Sequence, residues 1–476
     1  MRILMVTAEY APFAKAGGLA DMVTGLSRAL VAAGHEVRVV LPRYAMLEPG
    51  PIRIGEPQVS PVAVDGGHPA YELRGAAVAG AGEPALCLVE CPPLFGGGTV
   101  YASGEAEARR FALLAHAALR LVEVLDWRPD IIHCHDWHAA LVPVLLRSGY
   151  RTSGPLRGAA TVLTIHNIGY QGAFAPALLP ELGITAPEAG IPELNFLRAG
   201  IESADALTTV SPSHAEEILT PEYGMGLDPL LRQRRARLVG ILNGVDYGAW
   251  DPATDPALPA RFDARDLAGK ATCRAALLER AGLPDRPGRP LLGMVSRLAE
   301  QKGIDLAVAA LDGRLRAGDV QAVIVGQGEE RYVARLRDLA AAMPGEFRFL
   351  EVQDEALARL VFAGSDAFLV PSRYEPCGLT QLYALRYGSV PVVRDTGGLR
   401  DTVRHFDPRA GTGTGSVFRD ADANGLDWAI GEILAWYRQP EAWRRLQQNG
   451  MAEDYSWRHQ APHYEALYLR LAGVPA

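Results

Sequence analysis

Four consecutive apolar residues, Ala367-Phe368-Leu369-Val370, end at Pro371 and are followed by Ser372-Arg373-Tyr374-Glu375-Pro376-Cys377-Gly378. Leu379, Leu382 and Leu385 then recur at spacings of three, Gly388 interrupts, and Val390 to Val393 form a second apolar run. Strand, short loop, helix and strand leave few folds open. A short run that is apolar at every position suits a parallel strand buried on both faces, and Gly388 suits a helix stop. Sheets built this way carry ligands in the loops beyond the carboxyl ends of their strands. Thr396-Gly397-Gly398 is a second loop of that kind. Pro and Gly here are ordinary punctuation, but Glu375 is not. A carboxylate between Tyr374 and Pro376 gains a plain turn nothing, whereas with the backbone N–H groups at a helix start it suits a polyol or a phosphate.

The same grammar occurs twice in the 476 residues. Residues 2–8 read as a buried strand, Glu9-Tyr10-Ala11-Pro12 as a turn, and Lys15-Ala16-Gly17-Gly18-Leu19-Ala20-Asp21 as the entry to a helix ending before Gly34. Glu36 to Leu41 is the next strand. A second series starts at Leu291, with strands over 291–296, 320–325, 347–350, 367–370 and 390–393. The expected fold class is α/β, with two doubly wound Rossmann-like domains facing across a cleft. Expected domains are residues 1–246 and 247–455, with a hinge at 247–250 and a final helix, 456–476, returning to the first domain.

Composition narrows the function. The net charge of −8, with no basic run, argues against nucleic acid or an anionic membrane as partner. Five scattered Cys imply reduced thiols and a cytoplasmic setting, and no apolar run approaches the ~18 residues of a membrane span. A strand signal begins at Arg2, so no signal peptide is expected.

Four further stretches carry chemistry. Arg297 and Lys302, in Ser296-Arg297-Leu298-Ala299-Glu300-Gln301-Lys302-Gly303, fall where a helix begins. The helix dipole disfavours cations there unless an anion is bound, so this loop is read as a phosphate site. His133, His135, Asp136, Trp137 and His138 end a strand; alternation puts His133 and His135 on one face, and the group is read as polar lining of a cleft rather than a metal centre. His166 ends the next strand. Asn243-Gly244 is either a hydrogen-bonding site or a type I′ turn, and the residues leave both open. The remaining cues fail. The Lys15 loop is no Walker loop, because its Lys precedes the glycines. Gly326-Gln327-Gly328 lacks the third Gly of a dinucleotide fingerprint. Asp420 to Asn424 starts like a calcium loop but has Gly431 at its twelfth position. Cys87 and Cys91 read as packing, and residues 49–105 as strands and loops without chemistry.

The string E-P-C-G-L-T-Q-L-Y-A-L-R-Y-G, residues 375–388, resembles the nucleotide-sugar motif of bacterial glycogen synthases and plant starch synthases. That family comprises retaining glucosyltransferases of the GT-B fold. K-A-G-G-L-A-D, H-D-W-H, N-G-V-D and S-R-L…Q-K-G resemble its other motifs, so the likeness spans nearly the whole chain. Related transferases have a second Glu eight residues after the first; Tyr383 stands there, as is typical of this family. Ala16 replaces the usual Thr.

The resemblance implies transfer of glucose from ADP-glucose to an α-1,4-glucan, without metal or other cofactor. It assigns Arg297 and Lys302 to the diphosphate and Glu375 to the glucose, with the backbone of Cys377, Gly378, Leu379 and Thr380. His166 and Asn243 are assigned beside the reacting sugar. Lys15, Gly17, Gly18 and Asp21 are assigned to the donor phosphates and glucose. Asp136 and Trp137 are assigned to sugar contact, the Trp by stacking on a pyranose. Gln353 falls where the family usually has an adenine-stacking Tyr. Rival readings are a UDP-glucose enzyme or phosphorylase of the same fold, and a non-catalytic glucan-binding protein.

Overall fold

The strand signals resolve into two open sheets, each with its own core. In the computed structural model, which describes residues 1–46, 52–62, 70–78, 82–148, 154–184 and 194–473, the strands are β1 (Arg2–Val6), β2 (Glu36–Pro42), β3 (Ile52–Val62), β4 (Tyr71–Val78), β5 (Ala85–Glu90), β6 (Ile131–His135), β7 (Ala160–Ile165), β8 (Ala173–Phe174), β9 (Leu194–Asn195), β10 (Ala206–Thr209), β11 (Leu238–Gly240), β12 (Leu291–Val295), β13 (Gln321–Val325), β14 (Phe347–Leu350), β15 (Ala367–Val370), β16 (Val390–Arg394) and β17 (Ser416–Phe418). The chain divides into one unit of Met1–Gly244 with Trp457–Ala476, and a second of Val245–Ser456.

The first unit holds a sheet in the order β11-β10-β7-β6-β1-β2-β5-β4-β3, and β8 and β9 pair separately. Its pairings are parallel from β11 to β5, while β4 runs antiparallel to β5 and β3 to β4. The chain winds one way from β1 to β2 and the other way from β1 to β6, so β1 and β6 flank the switch point. The loops that open there carry Glu9 to Gly18 and Asp136, and the next loop along carries His166. The all-apolar strands Ile3–Val6 and Ile131–Ile132 are fully buried beneath those loops.

The second unit holds six parallel strands in the order β14-β13-β12-β15-β16-β17. Here the switch point lies between β12 and β15. The loops that leave it are those of Arg297 to Gly303 and Pro371 to Thr380. Tyr247 to Trp250 is packed into this unit. Trp250 stacks on Tyr383 with ring centroids 4.0 Å apart, and the Arg359 guanidinium lies 3.9 Å over the Trp250 ring. Tyr455 donates its backbone N–H to the Tyr247 hydroxyl at 3.1 Å.

The rejected motifs have structural jobs. Gly328 pairs with Leu298, whose carbonyl would lie 2.2 Å from any Cβ placed there, so a close backbone approach demands this glycine. Asp422 caps the helix Ala423–Tyr437, accepting the Gly425 N–H at 2.8 Å. Cys87 and Cys91 are buried free thiols.

Candidate functional site

In the second unit the two switch-point loops are tied to each other. Lys302 Nζ lies 2.6 Å from Glu375 Oε2, and the same oxygen accepts the Ser372 hydroxyl at 2.8 Å. Glu375 is 6% exposed. Gln301 Nε2 donates to the Tyr374 carbonyl at 3.2 Å, and the Arg373 N–H donates to the Gln301 carbonyl at 2.8 Å. Arg373 reaches both Asp305 oxygens at 2.8 and 2.7 Å. Gly303 has φ 64°, and a Cβ there would meet the Pro371 carbonyl at 2.1 Å, so the loops approach this closely only with glycine. A partly buried Lys–Glu pair that also accepts Ser372, on loops tied to each other by Gln301 and Arg373, is a preorganised one.

The helix Thr380–Arg386 starts directly after this pair. Gly378 has φ 73°, and Gln381 Nε2 donates to the carbonyls of Cys377 and Gly378 at 3.0 and 2.9 Å. Those bonds occupy the Cys377 and Gly378 carbonyls, and the leading N–H groups of the helix have no intrahelical acceptor. The Glu375 carbonyl accepts the Gly398 N–H at 3.0 Å, which joins the Thr396 loop to the same cluster. Arg297 is exposed, and among the described residues its guanidinium meets no acid. Tyr383, at the position of the related enzymes' second carboxylate, is committed to its stack on Trp250.

In the first unit the Lys15 loop is organised by a residue with no obvious sequence signal. Glu9, 3% exposed, accepts the N–H groups of Ala16 and Gly17 at 2.7 and 2.8 Å through Oε2. Its Oε1 accepts the Tyr101 hydroxyl. Gly17 therefore spends its N–H on the Glu9 carboxylate, inside the protein. Tyr101 lies in the stretch 49–105 that showed no chemistry, of which residues 49–51, 63–69 and 79–81 fall outside the described residues. Lys15 Nζ sits 2.8 Å from Asp21 Oδ1, with both side chains partly open to solvent, and Gly18 opens the helix Gly18–Ala32.

Asp136 couples two loops. Its φ of 57° is a left-handed conformation uncommon outside glycine. That turn points Oδ1 at the N–H groups of His166 and Asn167, at 2.8 and 3.3 Å. Burial raises its carboxyl to about 7, against the pull of those two N–H groups and with a further push from Glu9.

Two sequence expectations change here, and one open alternative closes. His133, His135 and His138 do not line an open surface; they are 0, 0 and 6% exposed. His133 bonds Thr164 Oγ1 at 2.6 Å and the Tyr468 hydroxyl at 2.7 Å, and His138 stacks on Tyr101. A strand buried on both faces leaves either set of side chains inside. Trp137, expected to stack on a sugar, is 8% exposed among Phe111, His138, Phe174 and Phe196. A Cβ on Gly172 would fall 2.2 Å from its ring, so a neighbouring loop covers it. Asn243 forms no type I′ turn, since neither it nor Gly244 has positive φ. Its Oδ1 is buried without a protein partner.

No group of three or more His, Cys, Asp and Glu among the described residues could hold a metal ion. No described helix is long and apolar enough to cross a membrane.

Residues 2–233 match the family model described as the starch synthase catalytic domain, and residues 278–450 match that of glycosyl transferases group 1. A glycogen synthase of Anaeromyxobacter sp. (strain Fw109-5) is 46% identical over 99% of this chain and 100% of its own length. The chain belongs to the glycogen and starch synthase family. Glycogen synthase 2 of Geobacter sulfurreducens is 41% identical over 99% of both chains. The catalytic domain of starch synthase IV from Arabidopsis thaliana, solved with ADP and acarbose, superposes with a TM-score of 0.90 at 34% identity over 99% of each chain. Sucrose-phosphate synthase from Thermosynechococcus elongatus shares the fold alone, with a TM-score of 0.61 at 20% identity. The fold is thus GT-B, with both Rossmann-like units accounted for. Within this glycogen and starch synthase family member, the motif residues collect at the switch point of each sheet.

Proposed function

We propose that the chain transfers glucose from ADP-glucose to the non-reducing end of an α-1,4-glucan, retaining the anomeric configuration and using no metal ion. The observation that carries this reading is the Lys302–Glu375 pair, held at 2.6 Å on the two switch-point loops of the second unit. A solved family member that holds ADP and acarbose supports the choice of an adenine nucleotide and a glucan. Lys302 and Arg297 meet the diphosphate and stabilise the charge that grows as it departs. Glu375 and the N–H groups of Gly378 to Thr380 hold glucose hydroxyls. In the first unit, His166, Asn243 and Asp136 serve the sugar side, and Lys15 with Asp21 serves the donor. Gly18 contributes backbone to that loop, while Cys377 shapes the turn.

Retaining glycosidases work with two carboxylates about 5 Å apart. Here Glu375 is ion-paired with a cation and Tyr383 fills the second acidic position, so no nucleophile is at hand. The acceptor hydroxyl oxygen attacks the anomeric carbon on the face from which the phosphate leaves. The carbon–oxygen bond to the phosphate breaks, and the departing phosphate oxygen takes the hydroxyl proton. Two cations supply the charge that a divalent ion would otherwise bring. The site suits a cytoplasmic enzyme that binds neither nucleic acid nor membrane.

Incorporation of radiolabelled glucose from ADP-glucose into glycogen tests the proposal. Incorporation is expected to persist in chelator and to exceed that from UDP-glucose, although Gln353 cannot stack on a base as a Tyr does. Equal kcat/KM for the two donors would remove the nucleotide preference, and activity lost in chelator and restored by magnesium would remove the metal-free mechanism.

A further inference from the structure

His166 Nε2 lies 3.1 Å from His135 Nδ1, and both rings belong to the first unit. One of these nitrogens carries the shared proton, and two neighbouring atoms decide which. His135 Nε2 is buried and has no protein partner. His166 Nδ1 has no protein partner among the described residues, and His166 is only partly buried at the end of β7. Burial lowers both imidazoles well below their usual value, so both are neutral and each holds a single proton.

If His166 donated through Nε2, the proton of His135 would have to sit on its buried Nε2, as an N–H with no acceptor. If His135 donates through Nδ1, that buried Nε2 carries only a lone pair. An orphaned buried N–H is the rarer and costlier defect. We infer that His135 is a positioning residue that donates Nδ1–H to His166 Nε2 and thereby fixes the His166 proton on Nδ1. His166 then presents an N–H donor on its open side and acts as a neutral hydrogen-bond donor to a sugar oxygen, not as a proton acceptor. His135 is itself locked, since its ring lies 4.1 Å from that of His133. His133 is bonded to Thr164 on the neighbouring strand and to Tyr468 on the helix Trp457–Leu471. The Asp136 carboxyl meanwhile holds the backbone N–H of His166, so main chain and ring are oriented by separate residues.

The functional consequence rests on the assignment of His166 to the sugar side, and the experiment separates the two. Nitrogen NMR of histidine-labelled full-length protein reads the tautomer directly, with His166 identified by comparison with His166→Ala. His166 protonated on Nδ1 is the expected result; protonation on Nε2 overturns the inference. His135→Leu removes the donor and should lower kcat about 10-fold or more with little change in the KM for ADP-glucose. His135→Asn keeps an N–H near the Nδ1 position and should restore most of that loss. Equal impairment of Asn and Leu variants, at matched thermal stability, would reduce His135 to a packing residue and overturn its role. Full activity in His166→Ala would instead withdraw the sugar-side assignment and leave the NMR result standing.

Discussion

Glu375 and Asp136 show how one functional group, the carboxyl, takes different roles from its surroundings. One Glu375 oxygen accepts both the Lys302 ammonium and the Ser372 hydroxyl, so the carboxylate serves as a hydrogen-bond acceptor. Glu375→Ala should lower kcat on the order of 10²-fold, with the chain still folded. Glu375→Gln keeps an acceptor and should retain more activity. If both were equally inactive and a glucosyl-enzyme adduct appeared by mass spectrometry, Glu375 would be a nucleophile. Asp136 is raised by burial from 3.8 to about 7. Its unfolded form therefore loses its proton first, and between those two values the folded chain binds more protons. Stability due to this group is fully present below the lower value and falls as pH rises through the window. Asp136→Asn keeps Oδ1 for the His166 N–H but cannot titrate. Denaturant unfolding on either side of the window should show a shallower fall for this variant, and an unchanged slope would place the ionisation elsewhere.

At the scale of elements, the helix that follows the Glu375 loop and a neighbouring helix are held at their far ends by a buried cation. Lys270 Nζ donates to the carbonyls of Ala363 and Tyr387 at 2.8 and 3.1 Å, closing the ends of the helices Glu355–Gly364 and Thr380–Arg386. A positive charge at two helix C-termini is favoured by both dipoles. Burial nonetheless lowers its ammonium to about 8. Lys270→Met leaves those carbonyls unpaired and should cost ~2–4 kcal/mol, visible as a lower Tm. Here the elements were legible in the chain, because Val390–Val393 and Ala367–Val370 are apolar at every position and each is followed by a loop and a helix. The Lys270 contact was not legible, since it joins residues about a hundred positions apart through backbone atoms, which carry no sequence signal.

At the scale of the whole molecule, the final helix belongs to the first unit. Trp457 fills the space that Gly25 and Gly244 leave, and Tyr464 and Tyr468 are fully buried. A Cβ on Gly25 would stand 1.8 Å from the Trp457 indole nitrogen. Gly25→Ala should therefore destabilise the protein by ~1–3 kcal/mol, since overpacking forces the indole aside. Truncation after Ser456 should go further, uncovering the face of the helix Gly18–Ala32 that Trp457 covers at Gly25 and unseating His133 from Tyr468. Limited proteolysis checks this: residues 1–244 should become protease-sensitive in the truncated chain while residues 245–456 stay protected. Equal protection of both regions would mean that the helix is dispensable to the first core.

What the chain alone determined was the repeated strand–loop–helix order and the positions of Lys15, His166, Arg297, Lys302 and Glu375 within it. Those follow from local patterning, in which apolar runs, glycine stops and charged loop residues lie within a few positions of each other. Only the tertiary structure decided that Lys302 and Glu375 form a pair, that Glu9 takes the Ala16 and Gly17 N–H groups, and that Trp137 and the histidines of β6 lie in the core. Each of those facts depends on which strands are neighbours and on what covers a strand's second face. Strand order and burial are settled by packing between distant segments, and a run such as His133-Cys134-His135 reads the same whether its polar side chains meet solvent or one another.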